Sequence, residues 1–541
     1  MNNSSIRIPL QKNEHVLDYA PNSSETKAIK EELKKQISQM VDVPLIINGE
    51  EVRTNNKEEI KCPHDHSKIL GYYHKAGKKE ADQAIKAALE ARKTWSKMHW
   101  SDRAAIFLKA ADLLAGPYRY VLNAATMLGQ SKTVLQAEID SACELIDFWR
   151  FNPSYMQQIY AEQPDSVHGT WNKLEHRALE GFVFAVTPFN FTAIGGNLPS
   201  APAMMGNVVV WKPASTSILS SYYTMKILME AGLPKGVINY IPGKGSDIGS
   251  SVFSSPELAG IHFTGSTSVF KSMWKTIGDN INNYKYYPRI VGETGGKDFV
   301  FVYKDANIEE VVTALVRGAF EYQGQKCSAA SRAYISDSLW PTIKKRLIEE
   351  VAKIKVGDVT DFSNFMSAVI DKNSFDSIKS YIDFAKDSSD AKIICGGECD
   401  DSKGYFIQPT IIETSDPKFK TMEEEIFGPV LSIYVYTDNT LDKTLELLDT
   451  TSAYALTGSI FAKDRSMIAY LTDKLENSAG NFYINDKPTG AVVGMQPFGG
   501  ARASGTNDKA GSYLNLIRWV SPRTIKETFV AARKFEYPFM G

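Results

Sequence analysis

The residues best placed to do chemistry lie in six short motifs, and the first carries a cysteine. In Tyr322-Gln-Gly-Gln-Lys-Cys-Ser-Ala329 a thiol follows a helix-like segment and a glycine, at a break into a strand. A thiol on such a turn can be exposed and held as thiolate by nearby amides, with Lys326 adding positive charge. A small buried hydrophobe, the usual state of a free cysteine, fits the same motif. Val291-Gly-Glu-Thr-Gly-Gly-Lys297 sets Glu293 in a glycine-rich turn. Glycines there let backbone approach a ligand, and the carboxylate suits a general base or a simple turn cap. Thr187-Pro-Phe-Asn-Phe-Thr192 offers Asn190, whose amide suits a developing oxyanion; an ordinary Asn turn fits as well.

The other three motifs suit a nucleotide. Phe263-Thr-Gly-Ser-Thr-Ser-Val-Phe270 reads as strand, turn and helix start. A helix N-terminus with free amides can hold a pyrophosphate, although the motif does not match G-x-G-x-x-G. Lys212-Pro-Ala-Ser215 puts an ammonium after a strand, within reach of ribose hydroxyls or phosphate. Glu423-Glu-Glu-Ile-Phe-Gly-Pro-Val430 carries Glu425 and Phe427, suited to a ribose and a flat ring.

The elements that must position these motifs follow from hydrophobic periodicity. A charged helix is expected over 26–41 and further helices from 79, over 102–114 with Ser101 as N-cap, and over 134–151. Residues 163–181 read as an exposed hairpin or flap. Strands at 182–186, 207–212, 237–241 and 260–264 alternate with helices at 193–205 and 217–231. Apolar strands separated by helices indicate a parallel sheet covered on both faces. A second alternation follows, with strands at 299–303, 332–335, 406–412, 430–436, 458–461 and 481–484 and helices near 308–322, 341–354 and 374–385. The tail 514–527 is β-prone and suited to pairing with the flap.

Composition narrows the class. The 541 residues sum to a net charge of −2, which excludes a strongly basic nucleic-acid binder or a polybasic membrane anchor. No stretch approaches the ~18 apolar residues of a membrane span. The first 35 residues lack the apolar core of a secretion signal and the acid-poor look of a transit peptide. Five scattered cysteines, an odd number, indicate a reducing compartment. Cys62-Pro-His-Asp-His66 has the look of a metal cluster, but no partner run completes a tetrahedral site, and a solvated turn is expected. Cys395 and Cys399 are spaced to pair only under oxidation, and Cys143 reads as core.

The ordered series Asn190, Lys212, Gly265-Ser266, Glu293, Cys327 and Glu425-Ile-Phe427 resembles the aldehyde dehydrogenase superfamily over nearly the whole chain. Phe189-Asn-Phe-Thr-Ala-Ile-Gly-Gly-Asn197, Gly324-Gln-Lys-Cys-Ser-Ala329 and Gln496-Pro-Phe-Gly-Gly-Ala-Arg-Ala-Ser-Gly-Thr-Asn-Asp-Lys509 resemble the branch that acts on L-glutamate γ-semialdehyde. The resemblance implies an α/β fold. A Rossmann-type NAD-binding domain (1–162 and 183–292, with 487–511 packing back on it) joins an α/β catalytic domain (293–486). A flap and tail (163–182 and 512–541) serve oligomerisation. It implies NAD-dependent oxidation of that semialdehyde to L-glutamate, the second step of proline catabolism.

By the same resemblance, Cys327 attacks the aldehyde, Asn190 holds the oxyanion, and Glu293 activates water against a thioester. Thr187, Lys212, Gly265, Ser266, Thr267, Ser268, Val269, Glu425 and Phe427 contact NAD. Phe191, Lys326, Ser328, Gly490, Ala491 and Phe498 contact substrate, with no metal. Two positions depart from the family. Ser215 replaces a glutamate that many members use against the adenosine ribose, which lowers the bar against NADP. Ala491 replaces a serine of the carboxylate-binding loop. A homodimer or higher homo-oligomer is implied, in the cytoplasm or alternatively the mitochondrial matrix, with no nucleic-acid or membrane partner. A different aldehyde substrate, a cysteine hydrolase and a silent scaffold are the alternatives. No histidine follows Cys327, and Glu293 and Asn190 are intact, which disfavours the last two.

Overall fold

The computed structural model describes residues 5–541 and is built on two seven-stranded sheets. The first contains β1 (Leu45–Ile47), β2 (Glu50–Val52), β3 (Phe182–Val186), β4 (Val208–Lys212), β5 (Ile238–Tyr240), β6 (Leu258–Thr264) and β7 (Arg289–Glu293), in the order β7-β6-β3-β4-β5-β1-β2. β3 to β7 run parallel; β1 and β2 extend the sheet antiparallel. Phe182 to Ala185 and Val208 to Trp211 are buried throughout, as strands covered by helices on both faces must be. Chain order reverses between β6 and β3, the place where such sheets leave a crevice. Register puts Val186 beside both Lys212 and Phe263, and Thr264 beside Glu293. Thr187, Lys212, Gly265 and Glu293 therefore emerge along one carboxyl edge.

The second sheet holds β8 (Asp298–Val302), β9 (Ala330–Ser336), β10 (Ala391–Cys395), β11 (Thr410–Thr414), β12 (Val430–Tyr436), β13 (Thr457–Phe461) and β14 (Asn481–Ile484), ordered β10-β11-β12-β9-β8-β13-β14. Only β10 runs antiparallel to its neighbour. Alternation along β8 sends Phe299 and Phe301 into one apolar layer and Val300 and Val302 into the other. Away from both sheets, Thr170–Ala178 pairs antiparallel with Val520–Thr528 over nine residues, so the flap and tail form the ribbon that their composition suggested. No helix among the described residues is long and apolar enough to cross a membrane.

Several elements differ from their sequence expectation. The helix expected over 134–151 is three pieces: Val134–Ala137, a π-helical turn Glu138–Cys143, and α2 (Glu144–Ala161), which continues through Pro153. The charged helix α1 spans Ser24–Ser38, capped by Ser23, and a short strand follows at Val41–Val43. β1, β2 and the hairpin Lys57–Cys62 with Asp65–His74 had no counterpart in the sequence reading. These strands are short, and partners far along the chain, such as Tyr240 for Ile46, decide them. Cys62 to Asp65 form a buried turn, not a solvated one. His64 Nδ1 lies 2.8 Å from Ser131 Oγ, and Pro63 accepts from the Tyr405 N–H.

The N-terminal arm is fastened by a buried ion pair. Arg119 pairs with Glu138 and reaches Glu14 Oε1 at 2.6 Å, while Glu138 also accepts from Leu17 N, Tyr19 OH and Asn123 Nδ2. Burial raises the Glu138 carboxyl, but Arg119 and the other donors outweigh it and hold it below the ordinary range. Replacing one partner of a buried pair costs about 3–5 kcal/mol. Glu138→Ala should lose that much in denaturant unfolding and expose the arm to proteolysis. In the wild type this contribution is complete above the unfolded carboxylate pKa of ~4.3 and is lost as pH falls through the lower folded value.

Candidate active site

Cys327 is placed by a strained turn. After α3 (Ile308–Phe320), Tyr322, Gln323 and Gly324 all take left-handed backbone, with φ of 51°, 54° and 63°. For residues with a side chain this costs roughly 1–2 kcal/mol each. The buried Gln323 side chain offsets it. Its amide donates to Ser131 O (3.1 Å) and Ala368 O (2.7 Å), and its oxygen accepts from Ser367 N (2.9 Å). Tyr322 OH donates to Gln130 O at 3.0 Å. Gly324 cannot be replaced, because a Cβ would lie 2.3 Å from the Gly428 carbonyl. Gln325 then ties the turn to its surroundings. Its carbonyl accepts from Asn190 Nδ2 at 3.1 Å, and its side chain bridges Ile370 N and Phe427 O. Asn190 is thereby fixed two residues before the thiol.

Glu293 ends β7, and its Oε2 accepts from Gly500 N at 2.9 Å. Glu425 reaches in from the segment before β12, with Oε1 accepting from Gly296 N at 2.9 Å. A Cβ at position 295 would collide with that carboxylate, which explains the paired glycines. Burial, then the carboxyls of Asp298, Glu293 and Glu425, raise the Cys327 thiol well above its ordinary value. Burial likewise raises Glu293 well above a normal carboxyl and Glu425 to about 7. Burial and these neighbouring carboxyls both favour the neutral Cys327 thiol over the thiolate. Lys326 does not supply the expected cationic help. Its ammonium lies 3.8 Å from Asp140 and 3.6 Å from Glu321.

Along the carboxyl edge of the first sheet, Thr187 Oγ1 accepts from Trp211 Nε1 at 3.0 Å. The ammonium of the half-buried Lys212 donates to Pro213 O, and desolvation lowers it to about 8. Gly265 leads into α4 (Thr267–Asp279), whose first turn carries Ser268 and an exposed Val269 and has Ser266 at its cap. No side chain caps its free amides. A cavity of about 580 Å³ opens here, lined by Ser266, Thr267, Ser268, Glu425 and Tyr454 among others. The Phe427 ring meets Phe189 edge-on at 5.9 Å. A parallel-sheet crevice, free helix amides, a half-buried ammonium and a carboxylate fit a dinucleotide. Ser215 is exposed.

On the far side of Cys327, Ser328 Oγ lies 2.7 Å from Thr489 Oγ1, at the loop bearing Gly490 (φ 99°) and Ala491. Phe498 exchanges backbone hydrogen bonds with Ala510, and Lys132 Nζ sits 4.5 Å from the Phe191 ring centre. Beneath Phe191 the structure assembles Lys132, Asp140, Glu144 and Lys326, which sequence reading missed except for Lys326. Glu144 is half-buried, and burial and Asp140 raise its carboxyl well above normal. No sequence signal marked Glu144, because it follows a π-helical turn that periodicity does not reveal. The other four cysteines lie in three separate places, and all five are free. No metal-holding cluster of His, Cys, Asp and Glu occurs among the described residues.

Comparison with known proteins agrees with this geometry. The model of the aldehyde dehydrogenase family matches residues 51–523. Delta-1-pyrroline-5-carboxylate dehydrogenase, mitochondrial, of Dictyostelium discoideum is 55% identical, covering 98% of this chain and 96% of its own. Delta-1-pyrroline-5-carboxylate dehydrogenase of Agaricus bisporus is 54% identical, covering 99% of this chain and 98% of its own. The crystal structure of the Mycobacterium tuberculosis delta-pyrroline-5-carboxylate dehydrogenase bound with NAD superposes with a TM-score of 0.97 at 50% identity, covering all of both chains. With a family match over most of its length and relatives above half identity, the chain belongs to the aldehyde dehydrogenase family.

Proposed function

We propose that the protein oxidises L-glutamate γ-semialdehyde, the open form of 1-pyrroline-5-carboxylate, to L-glutamate with NAD⁺ in proline catabolism. The observation that carries this is the convergence of the Cys327 thiol, the Asn190 amide and the Glu293 carboxyl at the edge of a dinucleotide crevice. Relatives of about half identity bear the name of that enzyme.

NAD⁺, when bound, supplies the hydride acceptor; Thr187, Lys212, residues 265–269, Glu425 and Phe427 would hold it. Cys327 must lose its proton to attack the aldehyde, because the neutral thiol is a poor nucleophile. Asn190 Nδ2 and the Cys327 amide donate to the oxyanion of the hemithioacetal. Oxidation leaves a thioester on Cys327. Glu293, in its ionised form, takes a proton from water, which then displaces the sulfur and releases glutamate.

Ser328 and the amides of 489–491 grip the substrate carboxylate, and the rings of Phe191 and Phe498 flank its stem. Glu144, with Asp140, supplies the acidic wall that an ammonium requires. The whole constellation spans two units: residues 1–162 with 183–292 and 487–511 for NAD, and 293–486 for catalysis. Assembly into a homodimer or larger ring is supported by the exposed ribbon and by the exposed Phe529 and Val530 after it. The name of the Dictyostelium relative favours the matrix alternative over the cytoplasm.

NADH formation from 1-pyrroline-5-carboxylate is the deciding assay. Cys327→Ala should lower turnover by at least about 10³-fold, and undiminished turnover would refute the reading. Glu293→Gln should cut steady-state turnover ~10²–10⁴-fold while leaving a single NADH burst in stopped flow. Because burial raises the Glu293 carboxyl, the wild-type steady-state rate should begin to fall with decreasing pH well above the ordinary carboxylate range, since the protonated acid accepts no proton. A restored hydroxyl on the anchor loop is worth ~1.5–3 kcal/mol to a charged ligand, so Ala491→Ser should raise kcat/KM about tenfold or more.

A further inference from the structure

Lys509 stands at one end of a hydrogen-bonded path that ends on Glu293. Its ammonium donates to the Gly480 carbonyl (2.7 Å), the Gly499 carbonyl (3.1 Å) and Asn481 Oδ1 (3.4 Å). The Gly499 carbonyl and the Gly500 N–H are opposite ends of one trans peptide unit, and that N–H donates to Glu293 Oε2 at 2.9 Å. The peptide thus lies between a cation and a carboxylate. Each polarises it in the same sense, so the ammonium strengthens the N–H as a donor to Glu293.

The surrounding backbone is arranged around this contact. Lys509 and Asn507 both take left-handed conformations, with φ of 52° and 56°, which side-chain-bearing residues adopt only where their surroundings enforce it. Ala510 and Phe498 exchange two backbone hydrogen bonds, at 2.7 and 3.0 Å, and Ser512 Oγ donates to the Lys509 carbonyl. Asn481 accepts from Gly499 N and donates to Pro497 O, closing the turn from below. Among the charged and titratable groups acting on Glu293, Asp508 belongs to the same segment and is held by Thr506 and Arg518. The Cys327 thiol faces it from the catalytic turn, and Lys509 is the cation.

We infer that Lys509 is a positioning residue for thioester hydrolysis, holding the Glu293 carboxylate through the 499–500 peptide and favouring its charged form. The inference rests on Glu293 acting as the base. It assigns to Lys509 no contact with substrate or cofactor. Loss of its charge should therefore slow water activation without slowing the steps that precede it.

The test compares the wild type with Lys509→Met, Lys509→Gln, Lys509→Arg and Glu293→Gln, by steady-state pH profile and stopped-flow NADH burst. Lys509→Met and Lys509→Gln should move the acid limb of kcat upward by about one pH unit, lowering kcat on that limb about tenfold. Well above the limb, kcat should stay within about twofold, and the burst and KM should be unchanged. Lys509→Arg, which keeps the charge, should return the limb toward the wild-type position. Equal loss of kcat at every pH, a lost burst, or failure of both neutral variants to fold would show a merely structural lysine and overturn the inference. If Glu293→Gln turns over normally, the base assignment itself falls. If Glu293→Gln is impaired but the neutral Lys509 variants keep the wild-type limb, only the role of Lys509 falls.

Discussion

The active site depends on one buried glutamine. Gln323 makes three hydrogen bonds to the backbone of Ser131, Ser367 and Ala368, and these hold Tyr322, Gln323 and Gly324 in left-handed conformations that the chain would otherwise avoid. That turn aims Cys327 at the crevice and presents the Gln325 carbonyl to Asn190. Ser131 follows the helix Arg119–Gln130, which packs against Ile218–Ala231, the helix that joins β4 to β5 of the first sheet, whereas Ser367 and Ala368 precede the helix Lys372–Lys386, which packs on the second. One side chain therefore couples the position of the Cys327 thiol to the docking of the two sheets. The strain is local, and its compensation is drawn from residues nearly two hundred positions away and from others forty-five away.

The charged groups that act on the Cys327 thiol are carboxyls. Asp298, Glu293 and Glu425 all face Cys327 and all favour its neutral form. Burial keeps these acids from behaving as ordinary surface carboxylates: Glu425 is raised to about 7 and Asp298 to about 8. Such groups change charge when the local field changes modestly, which suits the proposed chemistry, in which one pocket first releases a thiol proton and later accepts one from water. Lys326, adjacent to Cys327 in sequence, is committed instead to Asp140 and Glu321. Proximity along the chain was a poor guide to electrostatic partnership here, because consecutive residues on a turn point in different directions.

Much of the fold was legible in the sequence. The core strands of the first sheet, 182–186 and 208–212, are continuous apolar runs, and a parallel sheet buried on both faces requires that pattern. The six motifs were legible because they combine glycine with a reactive side chain at a strand end. The N-terminal strands were not, since three-residue segments such as Leu45–Ile47 take their structure from the neighbour they pair with. The π-helical turn at Glu138–Cys143 was hidden for a related reason: it inserts extra backbone without changing the apolar face of the helices on either side. Cys62 to Asp65, polar and turn-like, are buried because a segment more than three hundred residues later covers them.

The sequence alone determined the motifs that carry candidate reactive groups, the order of the core strands along the chain and the β-prone character of the flap and tail. These follow from residue type and local periodicity, which require no knowledge of distant contacts. Tertiary structure decided which charges meet. It sent Lys326 toward Asp140, gathered Lys132 and Glu144 beneath Phe191, and set Lys509 behind the peptide that donates to Glu293. Ionisation and orientation are properties of a buried environment built from residues hundreds of positions apart, so only the folded chain specifies them.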